Sequence, residues 1–402
     1  MNGKTSGVSS RLAVLFAVSA GLAVGNLYWA QPLLAAIAES FGLEAAQGGF
    51  LVTATQIGYA LGILLIVPLG DVLDRRKLLG LVMLMTIAAL ALCAFAPSVT
   101  LLALALAVLG LFTVSGQIIL PMAGDLATDN DRGRIVGLVA SGITAGILFS
   151  RLLSGLVADF AGWRGIYILA AALNLVMVIA IHLWLPQLPK REKISYQSLL
   201  KSVFTSIKRY PAMRAILLKQ GMVFGITFNL FWTALTFLLS GEPFSYGTTE
   251  IGFVSLAGLT GAIAGAKLGT LQDRGLGHKG ITVFIGMNII SMALAAVLGF
   301  SIVAIVLVAA VFSLGVQGVG VLVQAQLFSL SSSERSRLNT AFVVSNFLFS
   351  AVGSSLASFL WNMGGWQTAA LGGVCASLVA LAVHLFGTSK NNSAAISIKS
   401  LA

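Results

Sequence analysis

An all-α membrane protein, with twelve transmembrane helices in two pseudo-symmetric six-helix bundles, is the fold class this sequence predicts. Three observations carry the prediction. The 402 residues are 58% hydrophobic and 9% charged, with a mean hydropathy of +0.98. Soluble domains use about 25% charged residues, so this chain is too poor in charge to cover a water-facing surface. Its apolar residues come in blocks of about 20, long enough to cross roughly 30 Å of hydrocarbon as a helix. The punctuation between those blocks repeats once, in the same order, along the chain.

The blocks lie at roughly 11–38, 48–69, 77–96, 99–124, 134–158 and 165–186, then at 214–240, 250–269, 280–299, 301–328, 338–361 and 367–387. They are continuously apolar and do not alternate, which selects helices over a barrel. The first block is too long for a cleavable signal peptide and reads as a retained anchor. Cys93 and Cys375 fall inside apolar blocks, so neither a disulfide framework nor a metal site is expected. The 44 glycines suit helices that pack closely in lipid.

Net charge is +11, from 24 Lys and Arg against 13 Asp and Glu. The basic residues fall before span 1, in alternate connections (Arg75–Lys77, Arg132 and Arg134, Arg335 and Arg337), around the 8–9 turn and in the tail. The intervening connections carry only Arg164. This positive-inside pattern predicts cytoplasmic termini, and it accounts for the basic balance without a nucleic-acid partner. The longest connection, "PQLPKREKISYQSLLKSVFTSIKRYPAMR" (186–214), reads as a cytoplasmic linker with a short amphipathic helix. The expected division is an N-terminal bundle 1–185, a linker 186–213, a C-terminal bundle 214–388 and a cytoplasmic tail 389–402.

The two halves share their punctuation. "GDVLDR" (70–75) recurs as "GTLQDR" (269–274), "RGR" (132–134) as "RSR" (335–337), and "GWR" (162–164) as "GWQ" (365–367). From Arg132 to Trp163, and from Arg335 to Trp366, the spacing is 31 residues in both cases. Three pairs in one order argue for internal duplication. Six-plus-six duplication around a shared midplane site is a transporter plan.

On these residues the chain resembles the major facilitator superfamily, and within it the twelve-helix bacterial branch of drug:proton antiporters and related exporters. The resemblance implies a gating loop after span 2. Gly70, Asp74, Arg75, Arg76 and Lys77 match it, with Gly269, Asp273 and Arg274 as its weaker copy. Gly70 is expected to let two helices approach, and Asp74 to pair with cytoplasmic arginines or to sit at a helix N-terminus. Lys77 stands where the family commonly has a glycine. The resemblance also implies a fifth-helix motif. Gly137, Gly146 and Gly155 match it, Ser150 takes a glycine position, and Arg151 stands where the motif has proline. Arg151 is the only charge expected deep within a span. Its readings are contact with substrate or with a conformation-dependent partner, or snorkelling toward Asp159 or Glu39.

Leu106 occupies the place of the fourth-span arginine of proton-coupled relatives. No Asp or Glu falls at mid-span, which leaves Asp125, near the end of span 4, as the proton-coupling candidate. Uncharged candidates for lining a substrate cavity are Asn26, Gln31, Gln56, Tyr59 and Gln117 in the first half. Asn229, Trp232, Gln317, Gln324 and Asn346 are those in the second. Amides in hydrocarbon need partners and so face a bundle interior. His182 and His384, near span ends, are expected to be structural.

The function expected is secondary active transport across the cytoplasmic membrane by alternating access. The expected protein is a monomeric exporter of small amphiphilic, drug-like or metabolite compounds, coupled to protons and without cofactor. The alternatives are a facilitative or non-proton-coupled transporter, and a transport-inactive sensor or scaffold. Pumping by ATP hydrolysis is disfavoured, because no phosphate-binding Gly-x-x-x-x-Gly-Lys loop occurs. With three histidines and no mid-span acids, the chain also offers little to a membrane enzyme.

Overall fold

The computed structural model describes residues 9–128, 131–186, 195–268, 270–331 and 334–387, excluding the side chains of 266, 267 and 273. Among them every regular element is helical. Gly269, the Asp273 side chain, most of the linker's first half and the 389–402 tail therefore lie outside the described residues. Contacts divide the chain into two compact units, one extending to Leu200 and including Ser245–Leu256, the other Lys201–Phe244 with the chain from Ala257 onward.

In the first unit, span 1 is not the single helix expected. It consists of α1 (Ser10–Gly25), a tight turn at Gln31–Leu33, and α2 (Leu34–Ser40). Pro32 has no N–H to donate and its ring crowds the preceding turn, which disfavours a continuous helical ladder through residues 26–31. Span 2 is α3 (Gly49–Leu65), and span 3 is α4 (Arg75–Ala94). Span 4 is also broken, at Thr113–Val114, into α5 (Val99–Phe112) and α6 (Ser115–Leu126). Spans 5 and 6 follow one another in α7 (Arg132–Trp184), interrupted where Gly162 takes a left-handed φ of 68° that a side chain would resist.

The linker does contain an amphipathic helix, α8 (Tyr196–Arg209). Its Leu199 and Val203 are buried while Lys201 and Lys208 are exposed. Tyr196 donates its hydroxyl to the Leu65 carbonyl at 2.7 Å, tying the start of α8 to the end of α3.

In the second unit, span 7 runs through α9 (Pro211–Gln220), a π-helical stretch Gly221–Phe228, and α10 (Asn229–Ser240). Span 8 is α11 (Thr248–Val254), which groups with the first unit, followed by α12 (Leu259–Leu268). A single turn, α13 (Thr270–Asp273), leads to α14 (Gly277–Leu298), span 9. Span 10 is α15 (Ile302–Ser329), and α16 (Arg335–Gly387) holds spans 11 and 12, broken at Gly364–Gly365.

Each unit is built on the same close contacts. A Cβ on Gly58 (span 2) would lie 2.0 Å from the Ala107 carbonyl oxygen (span 4), and one on Gly261 (span 8) 2.5 Å from that of Ser313 (span 10). Gly21 abuts Gly142 between spans 1 and 5, and Gly353 abuts Ile226 between spans 11 and 7. Where lipid is as apolar as leucine, such backbone approach supplies the packing that hydrophobic burial cannot. Helix starts repeat too: Ser98 and Ser301 each accept from the backbone N–H three residues on, at 3.3 and 3.4 Å.

Candidate functional site

The break in span 1 builds a buried polar cluster in the first unit. Residues 26–31, Asn-Leu-Tyr-Trp-Ala-Gln, are all buried. Asn26 donates to the Thr113 hydroxyl at 2.9 Å, and Thr113 donates to the Ala23 carbonyl at 2.7 Å. The Trp29 indole donates to the Asn26 oxygen at 2.8 Å, and Ser154 extends the series by donating to the Trp29 carbonyl at 2.6 Å. The breaks in spans 1 and 4 and the middle of span 5 are thereby joined. Irregular backbone at membrane depth is tolerated where protein or a cavity surrounds it, and broken helices are where transporters bind their cargo.

Arg151 lies at the centre of this region and is 2% exposed. Its Nε donates to Gln31 Oε1 at 2.9 Å, and its guanidinium lies over the Tyr28 ring, 4.9 Å from the centroid. This is a polar and cation–π environment, not a path to the membrane surface. The snorkelling account named Asp159 as partner, but that carboxylate accepts from the Thr248 hydroxyl at 2.5 Å. Beside the cluster, an apolar groove of about 270 Å³ is lined by Gly21, Gly25, Trp29, Gly146, Phe149 and Ser150, among others.

The fifth-helix glycines divide by position. Gly146 meets the Gly21 backbone and Gly155 that of Thr248, where any Cβ would clash, whereas Gly137 has nothing within 4 Å. Ser150 bonds the Ile147 carbonyl at 2.9 Å. Gln117 donates to the Tyr59 hydroxyl at 3.2 Å, joining spans 4 and 2, and Gln56 is buried one turn from Tyr59.

The loop after span 2 forms a second cluster. Asp74 is the N-cap of α4, accepting from the Arg76 and Lys77 amides at 2.8 and 3.3 Å. Arg75 binds the Gly70 carbonyl at 3.0 Å, Asp71 at 3.2 Å and Asp125 at 2.8 Å. Asp125 also lies 3.8 Å from Arg132. Arg76 donates to the His182 carbonyl at 2.5 Å, while Lys77 is exposed. The expectation for Gly70 needs correction. A Cβ there would find ordinary contacts at 3.8 Å or more, so it is the carbonyl of Gly70, not its smallness, that the loop uses. In the weaker copy, Arg274 is exposed beyond α13.

The second unit repeats the broken-span residues. Asn26-Leu-Tyr-Trp29 recurs as Asn229-Leu-Phe-Trp232 with the 203-residue offset that also relates Arg132 to Arg335 and Gly58 to Gly261. Sequence reading selected Asn229 and Trp232 but missed that they belong to a repeated tetrapeptide. The surroundings differ. Asn229 turns back on its own π-helical stretch, donating to the carbonyls of Phe224 (3.2 Å) and Gly225 (3.0 Å). Trp232 packs edge-on to Phe228 and Phe231. Gln317 lies against Gly265, Gln324 donates to Asn339 at 3.4 Å, and Asn346 is buried. Arg151 is also not the only deeply placed charge, as had been expected: Lys219 in span 7 is 3% exposed. Its position five residues inside the apolar block that opens at 214 was a usable signal.

Residues 16–333 match the Major Facilitator Superfamily. The chain is 36% identical over 388 residues to the "Uncharacterized transporter YgaY" of Escherichia coli O157:H7, covering 96% of this chain and 98% of that one. It is 29% identical over 373 residues to a probable transporter of Streptomyces coelicolor, covering 92% and 85%. Among solved structures, it is similar to a bacterial homolog of the human lysosomal transporter Spinster in its inward-facing, occupied conformation. That match has a TM-score of 0.77 at 13% identity and covers 94% of this chain and 97% of the other. The likeness shows the twelve-helix fold that the two units build. The chain is a multi-pass membrane transporter and belongs to the Major Facilitator Superfamily.

Proposed function

We propose that this protein is a secondary active exporter of small amphiphilic organic compounds, working as a monomer by alternating access in the cytoplasmic membrane and coupled to protons. The observation that carries the reading is the buried cluster of Asn26, Tyr28, Trp29, Gln31 and Arg151 on a broken span beside an apolar groove. A few convergent polar groups in a mostly apolar recess suit a ligand with one polar end and one greasy body. The fifth-span glycine spacing, which resembles that of the antiporter branch, supports export.

The 70–77 loop is the cytoplasmic gate in this scheme. Arg75 gathers Gly70, Asp71 and Asp125, and Arg132 reaches the same carboxylate. A proton on Asp125 would weaken both ion pairs and release α6 from the loop, which links proton binding to a conformational bias. Purified protein in vesicles with a pH-sensitive dye in the lumen tests the proposal. Addition of a transported compound against an imposed proton gradient should give protein-dependent proton release, abolished in Arg151→Ala. Compound movement without proton flux would make it a uniporter. Neither flux, across cationic, neutral and anionic panels, would leave a sensor or scaffold.

A further inference from the structure

We propose that the transported compound carries a negative charge, and that Lys219 is the cation that receives it in the second unit. This rests on the transport reading above and goes beyond it. The argument begins with an inventory. The fully buried charged side chains among the described residues are Arg151 and Lys219, and no Asp or Glu joins them. A bundle interior of low dielectric that holds only positive fixed charges repels cations and favours anions.

Lys219 makes the argument specific. Counting about 1.5 Å per residue from Pro211, it lies about 12 Å along its span. A lysine stem can often carry its head back to water from such a depth. Here it does not. The ammonium donates to Gln326 Oε1 on α15 at 2.9 Å, and the residue remains 3% exposed. The side chain therefore does not face lipid.

An ammonium has three N–H donors, and one neutral amide is the only acceptor found for it among the described residues. Among the described residues, its surroundings add no negative charge. The titratable group on α16 that feels its field is His384. The His384 ring lies 4.1 Å from that of His278 on α14, tilted by 32°, and its Nε2 lies 3.1 Å from the His278 carbonyl. α15 presents the uncharged Gln326. A desolvated cation with donors to spare and no counter-ion becomes more stable when an anion arrives. The π-helical stretch begins two residues later, at Gly221, and such stretches recur at functional sites. The chemistry recognised is a single carboxylate or similar anionic head, on a free compound and not on a lipid.

The test uses the full-length protein and a panel of arylalkyl carboxylates with matched amides and amines. Thermal stability is read in detergent, and flux in vesicles of zwitterionic lipid. Carboxylates should stabilise the protein and be transported in preference to their amides and amines. Lys219→Met and Lys219→Gln should bind carboxylates about tenfold or more weakly, the scale of a lost charge-assisted hydrogen bond, with Lys219→Arg between. Without ligand, Lys219→Met should unfold at a higher temperature than the parent, because it removes an uncompensated buried charge. Lys219→Gln covers the case in which the methionine variant folds poorly. Preference for amines or amides, carboxylate binding indifferent to Lys219, or no binding by any member overturns the proposal. Stabilisation by phosphatidylglycerol with none by the carboxylates also overturns it, by giving Lys219 a lipid headgroup. Lys219-dependent carboxylate binding without flux of any compound would keep the anion site and refute the transport reading instead.

Discussion

Arg151 shows how one side chain can be kept deep in a membrane. An arginine at the centre of a spanning helix costs between ~3 and 15 kcal/mol on differing scales. The cost is offset locally by the Gln31 oxygen, the face of Tyr28 and the polar break in span 1 around them. The planar guanidinium links α7 to the broken span through its Nε–H and its face on Tyr28, and an ammonium can only partly replace it. Arg151→Ala is therefore expected to lower transport about a hundredfold, the scale of a charged hydrogen bond lost together with a buried cation–π contact, and Arg151→Lys about tenfold. Flux per inserted molecule checks this; equal activity in the alanine variant would remove Arg151 from the mechanism. Asp74 allows a cleaner separation. As an N-cap it should be replaceable by Asn with little change in unfolding temperature, while Asp74→Ala costs about 1 kcal/mol. If Asp74→Asn nevertheless loses transport, the negative charge itself acts in the gate. Unchanged kinetics would leave the residue a helix cap only.

At the scale of elements, glycine position matters more than glycine count. Gly146→Ala drives a methyl into the Gly21 backbone and should destabilise the first unit by about 1–3 kcal/mol, as overpacking does. Gly137→Ala, nine residues before it and facing open space, should be neutral or slightly stabilising. Thermal unfolding of the two variants in the same detergent decides the point, and equal effects would contradict the packing account. Much of this level was legible in the sequence. Apolar blocks located the spans, and punctuation such as Gly162-Trp163 and Gly365-Trp366 marked where α7 and α16 break. The interruption of span 1 was less legible, because hydropathy averages over Asn26–Gln31 and only Pro32 marks it. The π-helical stretch was not legible at all. It depends on Phe349 pressing against Gly221 and Gly225 and on Asn229 and Thr227 taking up displaced carbonyls, contacts that no local pattern encodes. The candidate site divides in the same way. Arg151 stood out by its charge, whereas Gln31 and Tyr28 as its partners required the fold.

For the whole molecule, the repeated contacts are the strongest indication of mechanism. Gly58 and Gly261, Asn26 and Asn229, and Trp163 and Trp366 occupy equivalent places in units built alike. In the proposed mechanism the two units exchange access by rocking, and a ligand shifts the balance only by binding one arrangement better than the other. The shared plan does not make the units chemically equal: the first carries a linked polar cluster and the second an aromatic wall with a buried lysine. The central claim is alternation itself, and its most direct test is a distance measured between the units. Spin labels at the exposed Leu73 and Leu276, in a background with Cys93 and Cys375 replaced, report on the two loops that the proposed topology places in the cytoplasm. Pulsed electron resonance should resolve two distance populations whose ratio moves when a transported compound or a change of pH is applied. A single distance, unmoved by either, would contradict the account.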